Sequence, residues 1–249
     1  MLEFHHSRRL FHLLPGLLII AISYVVPPYP IGTILLTAVT AIFYYAHVRR
    51  SDDREYDIWY LKHFGKLLRE EEIGEWVFIK KNNKDEYKRK SYPIPNGALY
   101  WILGTTLSSA LFSQDISRTA LLVLSASDPF AAYVGVWFTN YNCNITWSRL
   151  WSAIAKGNRG KKVDTKGGPT VVGSFACALA TLLCTYVYFP YSNKGDSGTP
   201  ILTLSSRSIV SIATAFVEAV AGRMMIMPID DNLLIPLVVG GLITWLVEL

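Results

Sequence analysis

Pro169-Thr-Val-Val-Gly-Ser-Phe-Ala-Cys-Ala-Leu-Ala-Thr-Leu-Leu-Cys-Thr-Tyr-Val-Tyr-Phe-Pro190 carries no charged side chain. Wound as a helix at 1.5 Å per residue, such a run is about as long as the hydrocarbon core of a bilayer is thick. Reading outward from it, similar apolar runs recur, and spans are predicted at 10–26, 31–48, 95–113, 119–138, 169–190, 208–222 and 233–249. The composition agrees: of 249 residues, 51% are apolar and 17% charged, and the mean hydropathy is +0.28. A soluble domain carries about a quarter charged residues. A water-soluble globular enzyme, a disordered chain, collagen and a coiled coil are thereby excluded. The expected fold is all-α and integral to the membrane: a bundle of about seven transmembrane helices, with residues 1–249 as a single polytopic domain. No small-x-small cleavage site follows the first span, and Pro27, Pro28 and Pro30 turn the chain into the second, so the first span reads as a retained anchor. Three cysteines, Cys143, Cys177 and Cys184, give no disulfide framework.

The net charge of +5 needs no nucleic-acid partner, because basic residues crowd the cytosolic loops of membrane proteins. Counted loop by loop, 21 Lys and Arg fall in the N-terminus, 49–94, 139–168 and 223–232, against Arg118, Lys194 and Arg207 in the alternating set. The N-terminus and these loops are therefore expected in the cytosol, and the C-terminus beyond the last span on the far side. The 49–94 loop holds twelve basic and ten acidic residues, so it reads as solvated. Ile58, Leu61, Leu67 and Leu68 suggest a short amphipathic helix at the interface. Trp147, Leu150, Trp151 and Ile154 make a second interfacial stripe in the basic, glycine-rich 139–168 loop.

An acid inside a membrane helix costs about 2.5–3.5 kcal/mol at its centre on insertion scales, so it needs a reason. Asp128 lies in Ser125-Ala-Ser-Asp-Pro-Phe-Ala-Ala-Tyr-Val-Gly135, where Pro129 loosens the helix. Asp128, Ala131, Ala132 and Gly135 share a small-residue face where another helix or a ligand can come close. Glu218 is the second such acid, on an inward seam with Ser211 and Thr214; a structural role stands beside a chemical one for both acids. Asp230, Asp231 and Asn232 open the last span. They suit a divalent cation such as Mg²⁺, or an ordinary helix start with Asn232 as cap. In Lys156-Gly-Asn-Arg-Gly-Lys-Lys-Val-Asp-Thr-Lys-Gly-Gly168, the glycines and Lys161, Lys162 and Lys166 can meet phosphates ahead of Gly173 and Ser174. The Walker A spacing is absent. Arg8, Arg9 and His12 stand at the mouth of the first span. Under the charge-derived topology, acids for a metal and bases for phosphates meet at one cytosolic surface. Phosphoryl transfer from a soluble nucleotide to a lipid alcohol requires that placement.

Several segments together resemble the polyprenol kinase family, which comprises dolichol kinases, phytol kinases and CTP-dependent diacylglycerol kinases. Arg8-Arg-Leu-Phe-His12 resembles its Arg-(Arg/Lys)-x-x-His. Leu68-Arg-Glu-Glu-Glu72 resembles Arg-x-x-Glu, and Asn96-Gly-Ala-Leu-Tyr-Trp-Ile-Leu-Gly104 resembles Gly-x-x-Tyr-x-x-x-Gly. Ser127-Asp-Pro-Phe-Ala-Ala-Tyr-Val-Gly135 is similar to Asp-x-x-Ala-x-x-x-Gly, Gly173-Ser174 to the end of Lys-Ser-x-x-Gly-Ser, and Asp231-Asn-Leu-Leu-Ile-Pro236 to Asp-Asn-x-x-x-Pro. The resemblance implies CTP as phosphate donor, a divalent cation, a membrane lipid as acceptor, and action at the cytosolic face of the endoplasmic reticulum or nuclear membrane. It makes Arg8, Arg9, Asp128 and Gly135 the foremost functional candidates. Pro169-Thr170 stands where the family has Lys-Ser, with Lys166 three residues upstream, and Trp137 and Phe138 replace a following Arg and Gly. The compact length fits the diacylglycerol kinases, and no plastid transit peptide precedes the first span. A kinase for dolichol or another isoprenoid alcohol, and a non-catalytic scaffold derived from this family, remain as alternatives.

Overall fold

A computed structural model of the chain describes residues 2–26, 28–68, 72–81, 84–91, 93–140, 170–188, 202–220 and 230–248. Eight α-helices lie among them: α1 (Leu2–Ser23), α2 (Thr33–Asp52), α3 (Arg54–Phe64), α4 (Gly97–Leu111), α5 (Gln114–Asn140), α6 (Val171–Tyr188), α7 (Leu204–Val220) and α8 (Asp231–Glu248). All but α3 coincide with the predicted spans, shifted by a few residues. Stretches within α2, α5 and α6 are long and apolar enough to cross a membrane; His12–Ser23 and Asp231–Val247 are apolar but shorter. The all-α expectation needs a correction. The charged loop contains an antiparallel hairpin, β1 (Glu75–Lys81) with β2 (Lys84–Ser91), in which Phe78 pairs with Tyr87 and Ile79 with Glu86.

Side-chain contacts fix how the helices run. Arg118 Nε donates to Ser23 Oγ at 2.7 Å, and a Cβ on Gly16 would stand 1.8 Å from Ser125 Oγ. Both pairings make α1 and α5 antiparallel in one register. The same argument makes α6 and α7 antiparallel, through Ser174 to Glu218 (2.8 Å) and Arg207 Nη1 to the Thr185 carbonyl (3.0 Å). Thr33 and Thr40 of α2 pair with Ser109 and Thr106 of α4, again antiparallel. Helices α4 and α8 run parallel, since Gly104 meets Asn232 and Leu233 while Phe112 meets Gly240. Helices α1, α4, α6 and α8 thus begin at one end of the bundle, here the near end, and α2, α5 and α7 finish there.

The interior is built from Val123 and Leu124 of α5, Val210 of α7, and Ile235, Val239 and Ile243 of α8, all buried. Buried hydroxyls return to their own helix: Thr105 to the Trp101 carbonyl, Thr181 to Cys177 and Thr214 to Val210. This satisfies them without water, as a bilayer interior demands. Outward-facing Ile34, Leu35 and Ile42 of α2 and Phe175, Leu183 and Val187 of α6 are large, apolar and exposed. At the far end, Arg118 and Arg207 are buried and donate to carbonyls in the last turns of α1 and α6. There the unsatisfied carbonyls and the helix dipole favour a cation. Two of the three basic residues counted against the charge asymmetry are therefore helix clasps, not loop charges.

Candidate functional site at the near end of the bundle

The near end begins with a layer held by charge. Arg50, the buried end of α2, donates through Nε to Asp57 Oδ1 (2.9 Å) on α3 and through Nη2 to the Glu72 carbonyl (3.2 Å). Trp76 Nε1 of β1 donates to the other oxygen of Asp57 at 2.9 Å, and the Arg50 guanidinium lies 4.6 Å from the Tyr60 ring centroid. The predicted stripe of α3 is accordingly corrected. Leu67 and Leu68 follow the helix instead of lying on it, while Ile58 is exposed, as an interfacial residue would be, and Asp57 is buried. Glu72 turns its carboxylate onto the first amide of α4, accepting from Gly97 N at 3.0 Å. Asn96 caps that helix through Leu99 N (2.8 Å) and donates to Tyr60 Oη at 3.1 Å.

Below this layer, three helices bring polar groups together. Asp128 is half-buried on α5. The Cys177 thiol of α6, next to Ser127, lies within electrostatic reach of both Asp128 and Glu218. Ser174 donates to Glu218 across α6 and α7. Ser211 and Thr214 are buried, so the seam leading to Glu218 does turn inward. The small-residue face also finds its partner. A Cβ on Gly173 would stand 3.1 Å from the Ala131 carbonyl, and a Cβ on either Gly135 or Gly173 would stand 2.9 Å from Thr170 Oγ1. Thr170 itself caps α6, accepting from Gly173 N at 3.0 Å. Gly135, Gly173 and Thr170 therefore form one close-packed contact between α5 and α6.

At the start of α8 the cap is Asp230, not Asn232. Its Oδ1 accepts from the Asn232 amide at 3.0 Å, and its carbonyl accepts from Leu233 N. Asp231 also accepts from the Asn232 amide, at 2.9 Å. Tyr100 of α4 is within electrostatic reach of Asp230. Among the described residues, none donates a hydrogen bond to the buried Asn232 Oδ1. An acceptor oxygen left over beside two carboxylates fits a hard cation with oxygen ligands. Among the described residues, no three His, Cys, Asp or Glu are grouped closely enough to hold a metal by themselves. A cation here would thus take the rest of its shell from water or phosphate.

Arg8, Arg9 and His12 all lie on α1, which begins at Leu2, earlier than the predicted span. The register set by Ser23–Arg118 and Gly16–Ser125 places His12 and Leu13 opposite Asp128 and Pro129, and the Arg8–Arg9 turn opposite Ala132 and Tyr133. His12 is buried. It lines a cavity of about 260 Å³ together with Glu72, Asn96, Tyr60 and a wall of α2 and α3 side chains. Burial raises the Tyr60 phenol above its ordinary value, with Arg50 acting against it. Lys161, Lys162, Lys166, Arg223 and the Trp147 stripe lie outside the described residues. Tyr60 is the site element absent from the sequence candidates; Glu72 and Asn96 stood within the family-like segments but without an assigned role. The Asn-Gly pair ahead of an apolar run was the available signal for a capped helix start.

A helical bundle of membrane character, with acids and hydroxyls gathered at one end, is the class that these features define. In sequence the chain is similar to CTP-dependent diacylglycerol kinase 1 of Schizosaccharomyces pombe, 24% identical over 179 residues, covering 72% of this chain. The chain spans 64% of the length of that relative. No family model matches, and no solved structure matches.

Proposed function

We propose that this chain is a seven-span lipid kinase that passes the terminal phosphate of CTP to diacylglycerol, giving phosphatidate and CDP. It works at the cytosolic face of the endoplasmic reticulum or nuclear membrane. One observation carries the reading: Asp128, just under a turn below the Ala131–Gly173 contact, the Ser174–Glu218 pair and the Asp230–Asn232 cap all lie in the near half of the bundle, with the Arg8–Arg9 turn across from the helix of Asp128. The alternating directions of the seven long helices and the likeness to the fission-yeast kinase support it. In the step itself the acceptor oxygen bonds to the terminal phosphorus, the bond from that phosphorus to the bridging oxygen breaks, and CDP leaves. Asp128 serves either as a ligand to the metal or as the group that holds the acceptor hydroxyl and receives its proton. Arg8, Arg9 and the Lys161, Lys162 and Lys166 loop hold phosphate oxygens ahead of Gly173 and Ser174, while Gly135 lets α6 approach. Asp230, Asp231 and Asn232 would hold Mg²⁺, which offsets charge on the phosphates.

The test is purified protein in detergent with labelled CTP or ATP and a panel of diacylglycerol, dolichol and phytol. CTP with diacylglycerol should turn over fastest, and Asp128→Asn should abolish turnover in a folded, inserted protein. Faster turnover with ATP and a polyprenol would overturn both halves. A kinase-derived scaffold is the second reading. It is favoured by Thr170, whose hydroxyl is engaged in capping α6 where the family has Lys-Ser. Lys166→Ala separates the two: a raised KM for CTP supports the kinase, and unchanged kinetics favour the scaffold.

A further inference from the structure

The cavity beside His12 has two unlike ends. Its lip consists of Ile42, Trp59 and Phe64, large apolar residues that are 65%, 48% and 42% exposed. Ile42 sits midway along α2, among exposed Ile34, Leu35 and Val39, and Trp59 and Phe64 sit on α3. Its inner end consists of His12 and Glu72, 5% and 3% exposed, and the first amide of α4 at Gly97. A nucleotide does not match such a cleft, since its phosphates ask for cations and its base and ribose bring no long apolar surface. An amphiphile does: apolar chain outward against Phe43, Ala46 and Phe64, polar tip inward.

Resting on the kinase reading above, we infer that this cavity between α1, α2, α3 and α4 is the acceptor site, where a lipid alcohol enters sideways from the membrane interface and presents its hydroxyl towards His12. The geometry connects this site to the acid. His12 faces the cavity from α1, and the register of α1 on α5 sets the same turn opposite Asp128. The hydroxyl end of the cleft and the turn of α5 that carries Asp128 thereby lie at the same level of the bundle. The Tyr60–Asn96 hydrogen bond and the Glu72 link to Gly97 hold the cleft's floor to α4, so its shape is set by contacts independent of the lipid.

Two experiments test this. A diacylglycerol carrying a photoactivatable diazirine on one chain, irradiated with the wild-type protein in nanodiscs, should label residues 42–46 and 59–68. The labelling should be competed by unlabelled diacylglycerol and not by phosphatidylcholine. Adducts confined to other lipid-facing helices, such as α6, would overturn the inference, as would equal competition by phosphatidylcholine. Ala46→Phe narrows the cleft without touching any polar group. It should raise KM for diacylglycerol about tenfold, equivalent to one or two methylenes of chain contact, with KM for CTP within about twofold. Equal changes in both constants, or no change, would overturn it. A wild-type protein that phosphorylates no alcohol would instead defeat the kinase reading, and the labelling pattern would still report on the cavity.

Discussion

Removing the Asp57 carboxylate should unfasten the whole near-end layer. Arg50 and Asp57 are each 1% exposed and 2.9 Å apart, and the second oxygen of Asp57 holds Trp76. Asp57→Leu takes from a buried guanidinium the carboxylate it donates to at 2.9 Å. Breaking such a pair by removing one partner costs about 3–5 kcal/mol. At 1.4 kcal/mol per decade, the locally open population rises by roughly two to three and a half decades. Arg50→Met should cost a similar amount, because it removes the cation from a buried carboxylate. The double variant Arg50→Met, Asp57→Leu removes both charges and should recover most of the loss, since apolar replacement of a whole buried pair is often neutral. Hydrogen exchange over residues 54–64 and the rate of tryptic cleavage within 62–90, both in detergent, read the open population when closing is fast. Salt supplies a control: the buried pair should be insensitive to 1 M NaCl, whereas the exposed Arg49–Asp53 pair is screened. Single-variant losses below about 1 kcal/mol, or a double variant whose loss is the sum of the two, would refute the reasoning.

Three other expectations follow from the same geometry. Gly16→Ala places a methyl 1.8 Å from Ser125 Oγ and 2.6 Å from its Cβ; it should destabilise the α1–α5 contact by about 1–3 kcal/mol, and adding Ser125→Gly should restore thermal stability in detergent. The Asp53 carboxyl is lowered below its ordinary 3.8, chiefly by the Tyr56 amide it accepts from and then by Arg49. Its support of α3 is thus complete above pH 3.8 and fades as pH falls through the lower folded value; Asp53→Asn, which still caps, should flatten that dependence in exchange measurements corrected for intrinsic rates. For topology, Asn144-Ile-Thr146 should stay unglycosylated and protease outside sealed microsomes should cut within 49–94; a glycan on Asn144 would invert the arrangement.

Helices α2 and α6 were legible because an apolar run of membrane length with no charge along most of it has one stable outcome in lipid. The small-residue face of α5 was legible as a place where a helix or a ligand could come close, and at Ala131 and Gly135 it is a helix, through Gly173. The near-end layer was not. Nothing in a loop with 22 charged residues distinguishes Arg50 and Asp57, which are buried, from the solvated majority; their partners are set by folding, not spacing. The hairpin was hidden for a related reason. Trp76-Val-Phe-Ile79 is apolar on both faces and so shows no alternation, while Lys84–Ser91 reads as a solvated stretch until Tyr87 is set across from Phe78. At Asp230-Asp-Asn232 three adjacent residues can each cap a helix, and the cap fell two positions earlier than the one expected.

The buried arginines at the far end give the bundle a fulcrum. Arg118 ties α5 to the last turn of α1, and Arg207 ties α7 to the last turn of α6. Both grips end on backbone carbonyls, which do not titrate, so neither loosens as pH changes. Helices pinned at one tip can part only at the other, and a small pivot there is amplified along their whole length. On the proposed kinase reading, any spreading between α1 and α5, or between α6 and α7, is thereby confined to the end that holds Glu218.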